Sequence, residues 1–211
     1  MKKSIIFGLF LFSLGTILKA QDNTDPRQKF TFGVKAGINN SNVWDAQGQD
    51  FVAKPKIGFA GGIFLGIPLG TLLGFQPEIL LSQKGFQGSG TLLGEPYSFS
   101  RTTTFIDIPL LIQVKPVQFL TLLAGPDYSY LVHESDTYTL GSNSSDQQQA
   151  FNNDNIRKNI FGVIIGADII VSHFVLSGRL CWDLETNNGN GTSSTPRYKN
   201  YWAQLTVGYK I

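Results

Sequence analysis

LGFQPEILLSQKGF, residues 73–86, and FIDIPLLIQVK, residues 105–115, decide how this chain folds. In the first stretch Leu73, Phe75, Pro77, Ile79 and Leu81 share one face. Gly74, Gln76, Glu78, Ser82 and Lys84 share the other, with Leu80 the exception. In the second, Ile106, Ile108, Leu110, Ile112 and Val114 stand opposite Asp107 and Gln113. A period of two over so many residues signals a strand, because successive side chains leave a strand on alternate faces. Charges at mid-length on one face and aliphatics along the other suit a wall with lipid outside and a polar interior. That is the pattern of a transmembrane β-barrel.

The same alternation recurs along the chain. Strands are expected near residues 30–39, 56–69, 73–86, 99–114, 119–131, 159–170, 174–185 and 200–211, about eight in all. Short turns at Gly70–Leu72, Lys115–Pro116 and Ser172–His173 alternate with long polar loops at 40–54, 85–97, 132–158 and 186–197. Residues 141–154 are almost wholly Ser, Asn, Asp and Gln, a composition that buries no apolar area and is expected to be mobile. Sorting long loops to one end and short turns to the other is a property of outer-membrane barrels, with the long loops outside the cell. Outward aromatics sort by depth as well. Phe30, Phe32, Phe75, Phe174 and Tyr209 fall at the short-turn end; Tyr128, Tyr130, Trp182 and Tyr201 fall near the other, forming two interfacial girdles.

Residues 1–20 read as a secretory signal and 21–211 as one barrel domain. Lys2 and Lys3 precede an apolar run, Ile5–Leu18, that is too short and too interrupted for a spanning helix, and Ala20 occupies the cleavage position. Cutting there removes Lys2, Lys3 and Lys19 from 17 basic residues, leaving 14 against 15 acidic. That balance, with no basic run carrying aromatics, argues against nucleic-acid binding. A single cysteine, Cys181, permits no internal disulfide. The mean hydropathy is near zero although aromatics and glycines abound, because lipid-facing and lumen-facing residues cancel in a barrel wall.

LGFQPEILLSQKGF, FIDIPLLIQVKP, LLAGPDYSYLV (residues 122–132) and GVKAGIN (33–39) together resemble the PorT-like outer-membrane β-barrel family of Bacteroidota. LSGRLCWDL (176–184) and WAQLTVGYKI (202–211) resemble that family's closing strands, so the likeness spans nearly the whole mature chain. It implies a small outer-membrane barrel and no particular activity. The member that gives the family its name is tied to type IX protein secretion, so an accessory role in export is the function suggested by resemblance alone.

Lys35, Glu78, Asp107 and Arg179 are expected to point inward near mid-depth. Two acids and two bases there could form a proton or ion path. A structural salt-bridge network is favoured, because about eight strands enclose a lumen just wide enough for side chains and unpaired buried charges are costly. Asp127, Asp168 and Asp183 receive the same reading. His133 and Glu134, near Ser129, have the residue types of a rim hydrolase acting on lipid or peptide, but a triad is recognised by geometry and an exposed loop histidine is the simpler reading. His173 is expected to be solvated, with no partner nearby in sequence. Cys181 alone makes no metal site, and Gly61-Gly62 lacks the strand–helix context of a phosphate loop. No catalytic residue, cofactor or metal is therefore expected.

The expected protein is an all-β, antiparallel up-and-down outer-membrane barrel, non-enzymatic and contacting outer-membrane lipid. It is expected to act as a scaffold or to bind an extracellular protein or glycan through the four loops. The competing fold is a soluble lipocalin-like barrel with the two faces exchanged, which alternation by itself does not distinguish.

Overall fold

The computed structural model describes residues 25–45, 53–92, 95–140, 143–148, 157–187 and 198–211. The expected signal segment lies outside the described residues, as do residues 46–52 of loop 40–54 and 188–197 of loop 186–197; residues 40–45, expected to open the first loop, instead continue the first strand. A one-turn 3-10 helix, η1 (Pro26–Gln28), precedes nine strands. These are β1 (Thr31–Asp45), β2 (Lys54–Pro68), β3 (Leu73–Leu92), β4 (Glu95–Val117), β5 (Leu120–Leu140), β6 (Asn143–Gln148), β7 (Asn159–Val171), β8 (Phe174–Asp183) and β9 (Tyr198–Lys210).

Every pairing is antiparallel. Each strand pairs with its neighbour in sequence, except that β7 passes over β6 to pair with β5. The ring closes where β1 meets β9, from Gly33↔Lys210 to Asp45↔Tyr198. Eight strands form the ring, and β6 is an added strand that, among the described residues, pairs only with β5. Among the described residues no helix is long and apolar enough to cross a membrane; the crossing belongs to the strands.

Adjacent residues show which face is which. Leu111 is wholly buried, whereas Ile112 beside it is 49 % exposed. Lys35, Glu78, Asp107 and Arg179 are buried, while Val34, Ile79, Ile106 and Leu180 are exposed on the outer wall. Such a wall loses nothing to water when its solvent is lipid, and the inside-out soluble alternative falls. The expected girdles follow: Phe32, Phe174 and Tyr209 are exposed toward the short-turn end, with Phe174 edge-on to Tyr209 at 5.6 Å, and Tyr130 and Tyr201 are exposed toward the other.

Glycine permits the tight coiling of a small ring. A Cβ at Gly62 would collide with the Ile79 carbonyl oxygen and stand 2.8 Å from Leu80 Cα. Gly70, at φ +148°, makes the β2–β3 turn in a region closed to other residues.

Two more expected loops are corrected. Residues 85–92 and 95–97 continue the β3–β4 hairpin, paired in register to Leu92↔Glu95. Within 132–158, β5 runs on to Leu140 and Asn143–Gln148 forms β6, in a segment expected to be irregular. Backbone pairing needs no apolar side chain, so the polar composition gave the wrong element type there. The strand lengths are uneven as a result. β8 has 10 residues, near the length that crosses a membrane, whereas β3, β4 and β5 have 20, 23 and 21. About ten extra residues at the tilt of barrel strands carry these three roughly 25 Å beyond the wall built by β7, β8 and β9.

Candidate functional site

Inward side chains fill the lumen in three layers, and a cavity opens beside the lowest of them at the short-turn end. Lowest are Lys35 of β1, Glu78 of β3, Asp168 of β7 and Arg179 of β8. Lys35 Nζ pairs with Glu78 Oε2. Arg179 Nη1 donates to Asp168 Oδ1 at 2.6 Å, and its Nη2 lies 3.5 Å from Glu78 Oε1. Gln76 donates to Glu78 at 2.6 Å and accepts from Gln113. Two bases face two acids, and all four are almost fully enclosed.

The middle layer is richer in acid. Lys84 Nζ donates to Ser129 Oγ at 2.9 Å and to Asp107 Oδ1 at 3.2 Å. Ser129 in turn donates to Asp107 at 2.7 Å. The ammonium stands 3.8 Å from the Trp202 ring centroid and 4.6 Å from that of Phe105, within cation–π range. Asp183 accepts from Asn200 Nδ2 at 2.6 Å. Leu111, Leu123, Ile164, Cys181 and Trp202 pack as the apolar part of this layer.

The upper layer caps the lumen above the Tyr130 belt. Arg101 of β4 makes a bidentate pair with Asp136 of β5, Nε–Oδ1 2.7 Å and Nη2–Oδ2 2.5 Å. It also lies 3.3 Å from Glu134 and donates to the Tyr198 hydroxyl at 3.1 Å. Burial alone would pull the guanidinium down, but Tyr198, Asp136 and Glu134 outweigh it and hold it above its ordinary value. Burial pushes the Glu134 carboxyl up, against the pull of Arg101. Phe86 packs on Tyr198 at 5.2 Å and on Phe99 at 5.6 Å, and Phe99 packs on Tyr138 at 4.8 Å.

Of the four residues expected to form one network, Lys35, Glu78 and Arg179 meet. Asp107 does not join them and pairs with Lys84 instead, because the β3–β4 register sets Asp107 opposite Leu80, above Glu78. Asp168 completes the lower layer. Ser129, His133 and Glu134 form no catalytic group. Ser129 is committed inside to Asp107 and Glu134 is held by Arg101, while His133 is exposed. His173 is exposed as expected, yet it has neighbours: its Nδ1 is 3.0 Å from Ser172 Oγ, and its ring stacks on Tyr209 at 5.5 Å. Cys181 is buried and unpaired by disulfide. No group of His, Cys, Asp or Glu among the described residues could hold a metal.

The sequence reading missed Lys84, Arg101 and Asp136. Lys84 was legible, since it lies on the inward face of the opening stretch. Arg101 shares the inward face of Phe99, Thr103 and Phe105 in the strand expected at 99–114, but its partner Asp136 lay in a segment read as loop.

The family model for the outer membrane protein beta-barrel domain matches residues 19–187. The chain belongs to that family. It is therefore an outer-membrane protein, and its short turns and both described ends face the periplasm while the long hairpins face outward. No curated protein matches the sequence. Among solved structures the barrel is similar to Ail, the attachment invasion locus protein of Yersinia pestis, at 10 % identity over 86 % of this chain and 98 % of that one, with a TM-score of 0.48. It is similar to Neisserial surface protein A at 13 % identity, over 85 % and 97 %, with a TM-score of 0.46. The outer membrane protease OmpT of Escherichia coli is similar at 11 % identity, over 92 % and 100 %, with a TM-score of 0.38.

Proposed function

We propose that this outer-membrane barrel is non-enzymatic and binds an extracellular protein or glycan through its outward hairpins. One observation carries the reading. β3, β4 and β5 run far past the rest of the wall and carry β6 along β5, so that a sheet projects from one side of the barrel. The lumen beneath is packed with paired charges and capped by Arg101 and its rings, which leaves the outer surface as the part free to engage a ligand. Among the described residues β6 pairs on one edge, and an open strand edge is a ready template for an added strand.

Within the family we place the chain with the PorT-like barrels, on the six motifs quoted above. Cleavage after Ala20 would leave residues 21–211, which intact-mass measurement of the purified protein tests.

The binding reading is tested with the barrel in nanodiscs, offered to a glycan array and to immobilised envelope glycoproteins. A second barrel has residues 88–97 replaced by an Asn-Gly turn. Binding by the full barrel and its loss in the trimmed one, with both still running as folded species on unboiled gels, is the expected result. Equal binding by the two, or none by the full barrel, sinks the proposal.

A further inference from the structure

Positive charge collects at the periplasmic mouth without the acids that balance it inside the lumen. A cavity of about 410 Å³ opens there, between η1 and the lower ends of β4, β5, β7 and β9. Arg27, Lys29, Lys115 and Lys210 line it, and Asp168 is the acid among its described walls. Asp168 is already held from above by Arg179 at 2.6 Å. Arg27 is held by Asp25 at 2.8 Å. Neither of the two remaining inner cations has such a partner. Lys115 Nζ donates to the Arg27 carbonyl oxygen at 3.0 Å, a bond that fixes its position and leaves its charge uncompensated. Among the described residues, no carboxylate lies within ion-pair distance of Lys115 or Lys210.

The mouth is shaped around these groups. Arg27 spans from η1 to β4 by donating to the Lys115 carbonyl at 3.4 Å, so η1 roofs the cavity. Gly74 makes room beside it: a Cβ there would stand 3.1 Å from Lys115 Cε. Two ammonium groups in a half-enclosed space repel each other more strongly than they would in open water. An anion between them relieves that repulsion, and hydroxyls of Thr31, Thr121 and Ser172 in the same walls supply neutral donors.

We propose that the periplasmic mouth is a binding site for a phosphate-class oxyanion, held between Lys115 and Lys210 with Lys29 and Arg27 at the entrance. Two sources carry that chemistry: free inorganic phosphate in the periplasm, and the headgroup phosphate of an inner-leaflet lipid. Val117 and Phe119, exposed on the rim, adjoin the cavity and give a lipid a place to lie. The site is at the mouth opposite the projecting sheet and stands whether or not that sheet binds a partner.

The test uses the whole barrel, purified in a non-ionic maltoside detergent. In one arm inorganic phosphate is titrated against sodium chloride of equal ionic strength, reading bound phosphate by calorimetry and the unfolding temperature. In the other arm the barrel is placed in phosphatidylcholine vesicles with and without phosphatidylglycerol. Lys115→Gln and Lys210→Gln are each expected to weaken the response about tenfold, the usual worth of one charged hydrogen bond. Lys115→Arg and Lys210→Arg keep the charge and should restore it. Lys199→Gln, at the opposite mouth, should change nothing.

A lysine-dependent response to free phosphate assigns the first source. A lysine-dependent response to phosphatidylglycerol alone assigns the second. No response in either arm, or one that survives Lys115→Gln combined with Lys210→Gln, overturns the proposal. Unboiled-gel mobility shows that each variant is folded before it is scored.

Discussion

Glu78 shows what one residue does inside this barrel. It receives Lys35 of β1, Arg179 of β8 and the Gln76 amide of its own strand, so two strands besides its own depend on a single carboxylate. Glu78→Ala leaves Lys35 and Arg179 with Asp168 alone, and an uncompensated buried charge costs about 3–5 kcal/mol. Denaturant unfolding in detergent should show a loss of that order; a loss below about 1 kcal/mol would mean the lower layer is not mutually dependent. Glu134, in the upper layer, gives a pH signature. Its folded carboxyl titrates above the ordinary glutamate value of about 4.3 because burial disfavours the anion. As pH rises from that value to the folded one, the native state keeps a proton that the unfolded chain has released. Stability from this group therefore falls across that window and is constant above it. Glu134→Gln should flatten the fall, as read from unfolding midpoints at a series of pH values; an unchanged slope would assign the titration elsewhere.

Elements show where alternation was readable and where it failed. β1, β7, β8 and β9 keep one inward face along their length because nothing shifts their register; in β2 the shift against β3 lies near its start, between Pro55 and Ala60, and the rest keeps its face. β5 does not. Its inward residues are Thr121, Leu123, Asp127, Ser129 and Leu131, and then Glu134 and Asp136. The pairing with β4 shifts between Thr104 and Phe105, where Leu131 and His133 take adjacent partners. This bulge moves the inward face from odd to even numbers, so a reading of period two stops at Leu131 although the strand continues. The Arg101–Glu134–Asp136 cap was hidden for that reason: Glu134 and Asp136 lay in a segment read as loop, which left Arg101 without visible partners. Close packing between strands supplies a test at this scale. Gly62→Val places a branched side chain where β3 backbone already stands, and should prevent β2 and β3 from coiling together. The fraction of fast-migrating unboiled protein should drop severely; a normal folded band would show that the ring has slack at this point.

The whole molecule is a ring whose first and last strands pair over thirteen residues, so no sheet edge remains within the wall. Closure of this kind predicts faster gel migration before boiling than after it. The filled lumen predicts more. With three layers of side chains and an Arg101 cap, the barrel should give no stable large conductance in planar bilayers. Steady nanosiemens-scale channels from a folded preparation would show that the layers part.

Alternation and loop lengths were enough for the wall: strand count, lipid-facing residues, both girdles and the outward direction of the long hairpins. They were sufficient because lipid on one side and a narrow lumen on the other impose opposite demands on neighbouring residues, and those demands are written locally. The tertiary structure alone decided which charges meet. Partners in the lumen come from strands far apart in sequence, and their heights depend on register, stagger and one bulge. That is why Asp107 joins Lys84 and not Glu78, and why Arg101 finds Asp136. The base-rich periplasmic mouth likewise exists only because η1 folds beneath strands whose ends lie far apart along the chain.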